Sequence, residues 1–77
     1  MSGFAVQVGS FSSSAYADRL ARDLKRRRFE VFIAPVRSSG KQFYRVRVGP
    51  VADRDAAHAL AAQLKSAGQA GSIVPVP

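Results

Sequence analysis

Several residue types that carry chemistry are absent or scarce in this chain. It has no cysteine, which excludes disulfide bonds and thiolate metal sites. Its one histidine and five acidic residues show neither a metal-ligand spacing nor a pair of carboxylates placed for acid–base catalysis. No apolar run approaches the roughly 20 residues that a membrane-spanning helix requires. The sequence therefore predicts no catalytic residue, no metal site, no cofactor and no direct insertion into a membrane.

The length of the chain also argues against an enzyme. Its 77 residues, of which 47% are hydrophobic, suffice for one small core and leave no room for a second. We expect a single domain over residues 4–77, with residues 1–3 as a tail that lacks the basic and apolar segments of a signal peptide. A domain of this size has little space for buried catalytic groups, so a binding module is favoured.

Positive charge is the most unbalanced property of the composition. Twelve Lys and Arg residues oppose five Asp and Glu residues, which gives a formal net charge of +7. Such a balance favours anionic partners, namely nucleic acid, acidic lipid or acidic polysaccharide. The basic run at residues 25–28 has a simpler explanation, because cations at the C-terminal end of a helix complement the helix dipole.

The second half of the chain repeats the first at a shift of forty residues. The aligned pairs include Val6 with Val46, Val8 with Val48, Leu24 with Leu64 and Ile33 with Ile73. Because the matches are mostly apolar, we expect two copies of one strand–helix–strand unit, at residues 4–36 and 44–76, that share a core.

Each copy contains the signals of one helix. Ser13 and Asp53 are natural N-caps, and behind each of them apolar residues recur at i, i+3, i+4 and i+7. On the exposed side of the first helix we expect two i,i+4 ion pairs, Asp18 with Arg22 and Arg19 with Asp23.

Alternating apolar residues predict the strands. They lie near residues 4–8, 29–33, 43–48 and 70–76. Glycine or proline is expected to end the first three, at Gly9-Ser10, Pro35 and Gly49-Pro50. The repeat points Ile73 toward the helices, while neighbouring glycines permit a bulge that would reverse its strand, so the face of Ile73 stays open.

The element order βαββαβ predicts an α+β fold of the ferredoxin-like (RNP-like) split type. We expect a four-stranded antiparallel sheet in spatial order 4-1-3-2, with both helices on one face. The uncovered face then carries Gln7, Phe43, Arg45 and Arg47. An exposed aromatic ring beside two guanidiniums lowers solubility, which favours a ligand-binding surface over a purely structural one.

Two motifs at matching places in the repeat resemble those of a known family. Residues 4–11 read Phe-Ala-Val-Gln-Val-Gly-Ser-Phe, and residues 44–51 read Tyr-Arg-Val-Arg-Val-Gly-Pro-Val. They are similar to the two signatures of the SPOR domain, and the resemblance covers essentially the whole chain. It departs at Arg28, where that family often has glycine, and at Phe43, where a larger aromatic is frequent.

The resemblance implies a function. SPOR domains bind peptidoglycan glycan strands from which amidases have removed the stem peptides, and they direct bacterial envelope proteins to the division septum. The chain is then expected in the periplasm or cell envelope, as the C-terminal part of a larger exported or membrane-anchored protein, and to act as a monomer. Family positions carry over onto Gln7, Ser10, Phe43, Arg45, Arg47 and Ile73.

Two other functions remain compatible with this sheet. RNA-recognition domains share the βαββαβ order and also bind through the sheet face, but they place aromatic residues on both central strands. Here the first strand offers Gln7 instead. The same face could also dock another protein, and no residue excludes that alternative.

Overall fold

A computed structural model describes residues 3–77, which fold into six elements. In chain order these are β1 (Gly3–Phe11), α1 (Ser14–Arg26), β2 (Val31–Ser38), β3 (Lys41–Val51), α2 (Arg54–Ser66) and β4 (Ser72–Val76). The strands form one antiparallel sheet in the order β2-β3-β1-β4, which confirms the predicted topology. Gly3 was expected to belong to the tail, but it is the first residue of β1 and pairs with Val76. Residues 1 and 2 of that tail lie outside the described residues.

Both helices begin at the predicted caps. The Ser13 side chain accepts a hydrogen bond from the Tyr16 N–H at 3.5 Å, and Asp53 accepts one from the Ala56 N–H at 2.8 Å. Each cap thereby satisfies an N–H group that has no partner within the first turn of its helix.

Both helices also end in the same hydrogen-bonded turn. After α1, the N–H groups of Arg28 and Phe29 donate to carbonyl oxygens three and five residues earlier, at 2.9 and 3.1 Å. The corresponding bonds after α2 measure 3.0 and 2.8 Å. This turn holds one residue in the left-handed region. In α2 that residue is Gly68, at φ 87°, but in α1 it is Arg28, at φ 70°.

The core lies between the helices and one face of the sheet. Val6 and Val48 of the central strands pack with Leu24 and Leu64, which are repeat mates on the two helices. A second cluster of buried side chains joins β3 to α1, and consists of Val46, Ala17 and Ala21. The other face of the sheet is left without a covering layer of helices. Neither helix within residues 3–77 has the length and apolarity to cross a membrane.

All three strands that were expected to end at glycine or proline continue further. β1 runs through Gly9 to Phe11. β2 starts at Val31 rather than near residue 29, and it continues through Pro35 to Ser38. Because β2 is an edge strand, the N–H that proline lacks can face away from β3. β3 likewise continues through Pro50 to Val51, with an irregularity in its pairing to β1 there.

The ion pairs expected on α1 do not form within residues 3–77. Asp23 lies instead 3.6 Å from Arg26 and 3.6 Å from Arg27. Arg19 is placed over the Tyr16 ring, 5.5 Å from its centre. Arg26 and Arg27, at the end of the helix, share the Asp23 carboxylate. Asp23 is therefore not paired with Arg19, four residues earlier.

Candidate ligand-binding face

Strand register determines which side chains point away from the helices. Directly paired residues of an antiparallel ladder share a face, and neighbours along a strand alternate. Val46 and Val48 are buried under the helices, so Arg45 and Arg47 point the other way. We call this side the open face. Its residues are Ala5, Gln7 and Ser10 on β1, Phe32, Ala34 and Val36 on β2, Phe43, Arg45 and Arg47 on β3, and Ser72, Val74 and Val76 on β4.

A bulge in β1 brings Gln7 and Ser10 to the same face. The two residues are three apart, so strict alternation would place them on opposite sides of the sheet. In the structure Gln7 pairs with Arg47 and Ser10 with Arg45, because Val8 is an extra residue in the ladder. Gly9 fits this bulge by close approach, since a Cβ there would lie 2.7 Å from Phe11 Cε2. The resemblance named Ser10 as a site residue, but the alternation pattern alone would have misplaced it.

Gln7 holds Arg47 at the centre of the open face. The Arg47 Nε donates to Gln7 Oε1 at 3.2 Å. These two residues are repeat mates, forty positions apart, and they lie opposite each other on β1 and β3. The two copies of the repeat therefore meet at this pair. The bond fixes one guanidinium while leaving its terminal nitrogens for other acceptors.

Arg45 lacks such a partner. Its Nε is buried and makes no hydrogen bond. Within residues 3–77, no carboxylate forms an ion pair with Arg45 or Arg47. A buried donor without an acceptor is unfavourable by roughly 1–3 kcal/mol, and a ligand oxygen would relieve this if it drew the side chain outward.

Aromatic rings flank the two arginines. Phe43 lies on the same strand, two residues before Arg45, as predicted from alternation. Phe32 pairs with Arg47 from the neighbouring strand, and it was not among the predicted site residues. The signal was present in the sequence, because the alternation that buries Val31 and Ile33 also turns Phe32 outward.

A shallow groove of about 580 Å³ crosses one end of the open face. Phe32, Ala34 and Arg47 form part of its lining, together with Pro50 and Val76. Of the predicted site residues only Arg47 lines it. Gln7 lies opposite Arg47, and Ser10, Phe43 and Arg45 lie toward the other end of the open face.

Ile73 is not brought together with the other predicted site residues. It pairs with Val6, a core residue, in a stretch of β4 without a bulge. Ile73 therefore points toward the helix layer, in agreement with the repeat, and Val74 takes the neighbouring place on the open face, opposite Ala5. His58 is exposed on α2, in the helix layer.

Comparison with known families decides what kind of domain carries this face. The model of the family described as the SPOR domain matches residues 1–75, which is nearly the entire sequence. The chain belongs to the SPOR domain family. SPOR domains are binding modules that occur in bacterial cell-envelope proteins.

Three solved structures share the fold over almost the whole length of this chain. The RlpA SPOR domain from Pseudomonas aeruginosa superimposes with a TM-score of 0.80 at 27% identity, over 97% of this chain and 100% of that one. The peptidoglycan binding domain of the Bacillus subtilis cell wall lytic enzyme CwlC gives a TM-score of 0.79 at 28% identity, over 100% and 92%. The Spor protein DedD shares the fold at 20% identity with a TM-score of 0.72, over 95% of this chain and 38% of that one. No curated protein matches.

Proposed function

We propose that this SPOR domain binds peptidoglycan through its open face and selects glycan strands that have lost their stem peptides. The observation that carries the proposal is the pair Arg45 and Arg47, two guanidiniums on one uncovered face with no carboxylate partner. Residues two apart on a strand lie roughly 6.5 Å from each other, so the pair forms a short row of positive charge. The relative from CwlC, described as a peptidoglycan binding domain, supports the same ligand class.

The selectivity follows from the chemistry of the glycan. Removing a stem peptide frees the lactyl carboxylate of each muramic acid, and the strand becomes a regularly spaced polyanion. Guanidiniums form charge-assisted, often bidentate hydrogen bonds with carboxylates. A lactyl carboxylate draws the Arg45 side chain outward and becomes the acceptor that its buried Nε lacks, and Arg47 binds through its terminal nitrogens while Gln7 holds its Nε. A strand that still carries peptides offers no such carboxylate at that position.

Neutral contacts complete the site. The rings of Phe43 and Phe32 lie against the apolar C–H faces of sugar rings, which excludes water from the neighbouring hydrogen bonds. Ser10, opposite Arg45, supplies a hydroxyl that can donate to and accept from N-acetyl and hydroxyl groups. The domain carries out no reaction on the glycan; its role is to hold the envelope protein that contains it at septal peptidoglycan, where peptide-free strands accumulate.

RNA binding is less well supported by the same face. Stacking of bases in an RNA-recognition domain uses aromatic residues on both central strands. The open-face residues of β1 are Ala5, Gln7 and Ser10, and none of them is aromatic.

A co-sedimentation experiment tests the proposal. The 77-residue domain is mixed with peptidoglycan sacculi before and after amidase treatment, with single-stranded RNA as competitor. We expect more domain in the pellet after treatment, and no displacement by RNA. Equal retention on treated and untreated sacculi would refute the selectivity, and tighter binding to RNA would refute the function.

A further inference from the structure

Eight of the twelve basic residues lie on the helix layer, away from the open face. Six of the twelve fall between Arg19 and Arg28, in α1 and the turn that ends it. The shortest extent of the molecule is 18 Å. The domain is therefore a thin plate with positive charge on both sides, and glycan binding uses only one of them.

The C-terminal ends of the two helices converge. Leu24 and Leu64, each in the last turn of its helix, lie in one core cluster, and Arg27 Nη1 donates to the carbonyl oxygen of Ala67 at 2.8 Å. This bond joins the two helix ends and gives Arg27 a structural role. Four other exposed cations surround the junction, and we call them the basic patch: Lys25, Arg26, Arg28 and Lys65.

Neutralisation of the helix dipoles accounts for part of the basic patch, because Lys25, Arg26 and Lys65 lie in the last turns of their helices. It does not account for Arg28, which lies beyond the end of α1. Arg27 already binds a terminal carbonyl, and Asp23 is the one carboxylate within residues 3–77 that pairs with any cation of this region. Arg28 is also held at φ 70°, in the left-handed region that disfavours side chains with a Cβ. Its repeat mate Gly68 fits the same turn without strain, so a cation at position 28 is retained at a conformational cost.

An exposed aromatic ring lies on the same helix. Tyr16 is 58% exposed, more than any other large hydrophobic residue of the described chain. It lines a groove of about 400 Å³ on α1 together with Phe11, Leu20 and Arg26, so this groove adjoins the basic patch. One face of the ring is already covered by Arg19, which leaves less of it for stacking on a nucleic-acid base.

We infer that the basic patch and Tyr16 bind the surface of an anionic lipid bilayer. Phosphate oxygens of the headgroups accept hydrogen bonds from the Lys and Arg side chains, and tyrosine favours the headgroup level because its ring is apolar and its hydroxyl polar. The cations are spread over helix ends rather than gathered around a cavity. That arrangement suits laterally mobile headgroups, whose charge attracts basic residues collectively. The domain thus contacts a membrane surface on its helix side while its open face remains free.

Vesicle co-sedimentation tests the inference. The domain is mixed with vesicles of equal parts phosphatidylglycerol and phosphatidylcholine, and separately with phosphatidylcholine alone. We expect binding only to the anionic vesicles. The variant Arg26→Gln/Arg28→Gln should weaken it about 25-fold, since each basic residue contributes roughly fivefold. Tyr16→Ser should weaken it further when added to that pair.

A charge-matched control removes two cations elsewhere. Arg37→Gln/Lys41→Gln alters exposed residues at the β2–β3 turn, at the opposite end of the sheet from the start of β2, and should change vesicle binding about twofold or less. Arg45→Ala should leave vesicle binding unchanged, which separates this surface from the glycan site. Melting curves establish that each variant is folded.

Four outcomes would overturn the inference. They are equal binding to neutral vesicles, an equal loss in the control and patch variants, displacement from vesicles by millimolar inorganic phosphate at constant ionic strength, and preferential binding of a single-stranded oligonucleotide. The third would indicate a small-anion site and the fourth a nucleic-acid surface.

Discussion

Arg45 and Arg47 have equivalent positions on one strand but different surroundings. Gln7 accepts a hydrogen bond from Arg47, whereas the Nε of Arg45 is buried without an acceptor. The bond preorganises Arg47, so less side-chain entropy is lost when it binds a ligand. In the proposed glycan complex we expect Arg45 to gain more than Arg47, because binding would replace a missing hydrogen bond.

The first prediction concerns Arg45. Arg45→Ala should weaken binding to peptide-free glycan by about 10- to 100-fold, as expected for the loss of one charge-assisted hydrogen-bonded contact. The free energy of unfolding should not fall, because the substitution also removes an unpartnered buried donor. Binding isotherms and thermal melts measure both effects. Arg45→Lys keeps the charge but not the bidentate geometry, so its affinity for the glycan should lie between those of the wild type and Arg45→Ala. Wild-type affinity for Arg45→Ala would contradict the site.

The second prediction separates the open face from the core. Val46 lies between Phe43 and Arg47 on β3 and is 0% exposed. Val46→Ala should lower the free energy of unfolding by about 1–3 kcal/mol through lost burial and an incompletely refilled cavity. Phe43→Ala should instead weaken glycan binding and lower the melting temperature less than Val46→Ala does, because Phe43 is only partly buried. If Phe43→Ala melted early while Val46→Ala lost only binding, the orientation of β3 would be wrong.

The side of the sheet on which a side chain lies could be predicted from sequence only where the strand is regular. Alternation placed Phe43, Arg45 and Arg47 correctly on the open face, and the same rule applied to β2 would have found Phe32. It could not place Ser10, because the bulge at Val8 places Gly9 against α1, where a Cβ would lie 3.3 Å from Leu20 Cδ2. Such a contact is set by tertiary packing.

At the scale of elements, the caps were predictable and the ends of the strands were not. Ser13 and Asp53 cap their helices as expected, because a cap depends on a local hydrogen bond. Pro35 and Pro50 failed to end their strands, because the effect of proline depends on whether its position needs an N–H toward a neighbouring strand. That requirement follows from sheet order, which is a property of the assembled fold.

The third prediction belongs to the turn that ends α1. Arg28→Gly should raise the free energy of unfolding by about 1 kcal/mol, because glycine adopts φ 70° without the penalty of a Cβ. The matched change at the repeat mate, Gly68→Ala, should lower it by about the same amount. Urea unfolding of both variants measures the effects. Destabilisation by Arg28→Gly would indicate that the Arg28 side chain itself stabilises the fold.

At the scale of the whole molecule, the repeat determines both the fold and the place of the proposed site. The central strands β1 and β3 come from equivalent positions of the two copies, and Gln7 and Arg47 meet where those copies are related. This arrangement was predictable, because matching apolar positions forty residues apart require a shared core. The presence of positive charge on both faces of the domain could not be predicted, because it depends on where the C-terminal ends of the helices converge.

The fourth prediction follows from that charge. Binding of peptide-free glycan should weaken as salt rises above about 0.1 M, where the Debye length falls below about 10 Å. Amidation of the lactyl carboxylates should weaken it at every salt concentration, because the ion pairs with Arg45 and Arg47 are lost. Isotherms on native and amidated strands measure both dependences. Affinity indifferent to both treatments would mean that aromatic and neutral polar contacts dominate.

The most direct test of the central claim is an NMR titration of the isotopically labelled domain with purified peptide-free glycan. The side-chain Nε–H signals of Arg45 and Arg47 and the backbone amides of Ser10 and Phe43 should shift together. Amides of the outer surfaces of α1 and α2 should not. The same strands with stem peptides attached should produce no comparable shifts at equal concentration. Shifts confined to the helix layer, or equal shifts with both ligands, would contradict recognition of peptide-free glycan by the open face.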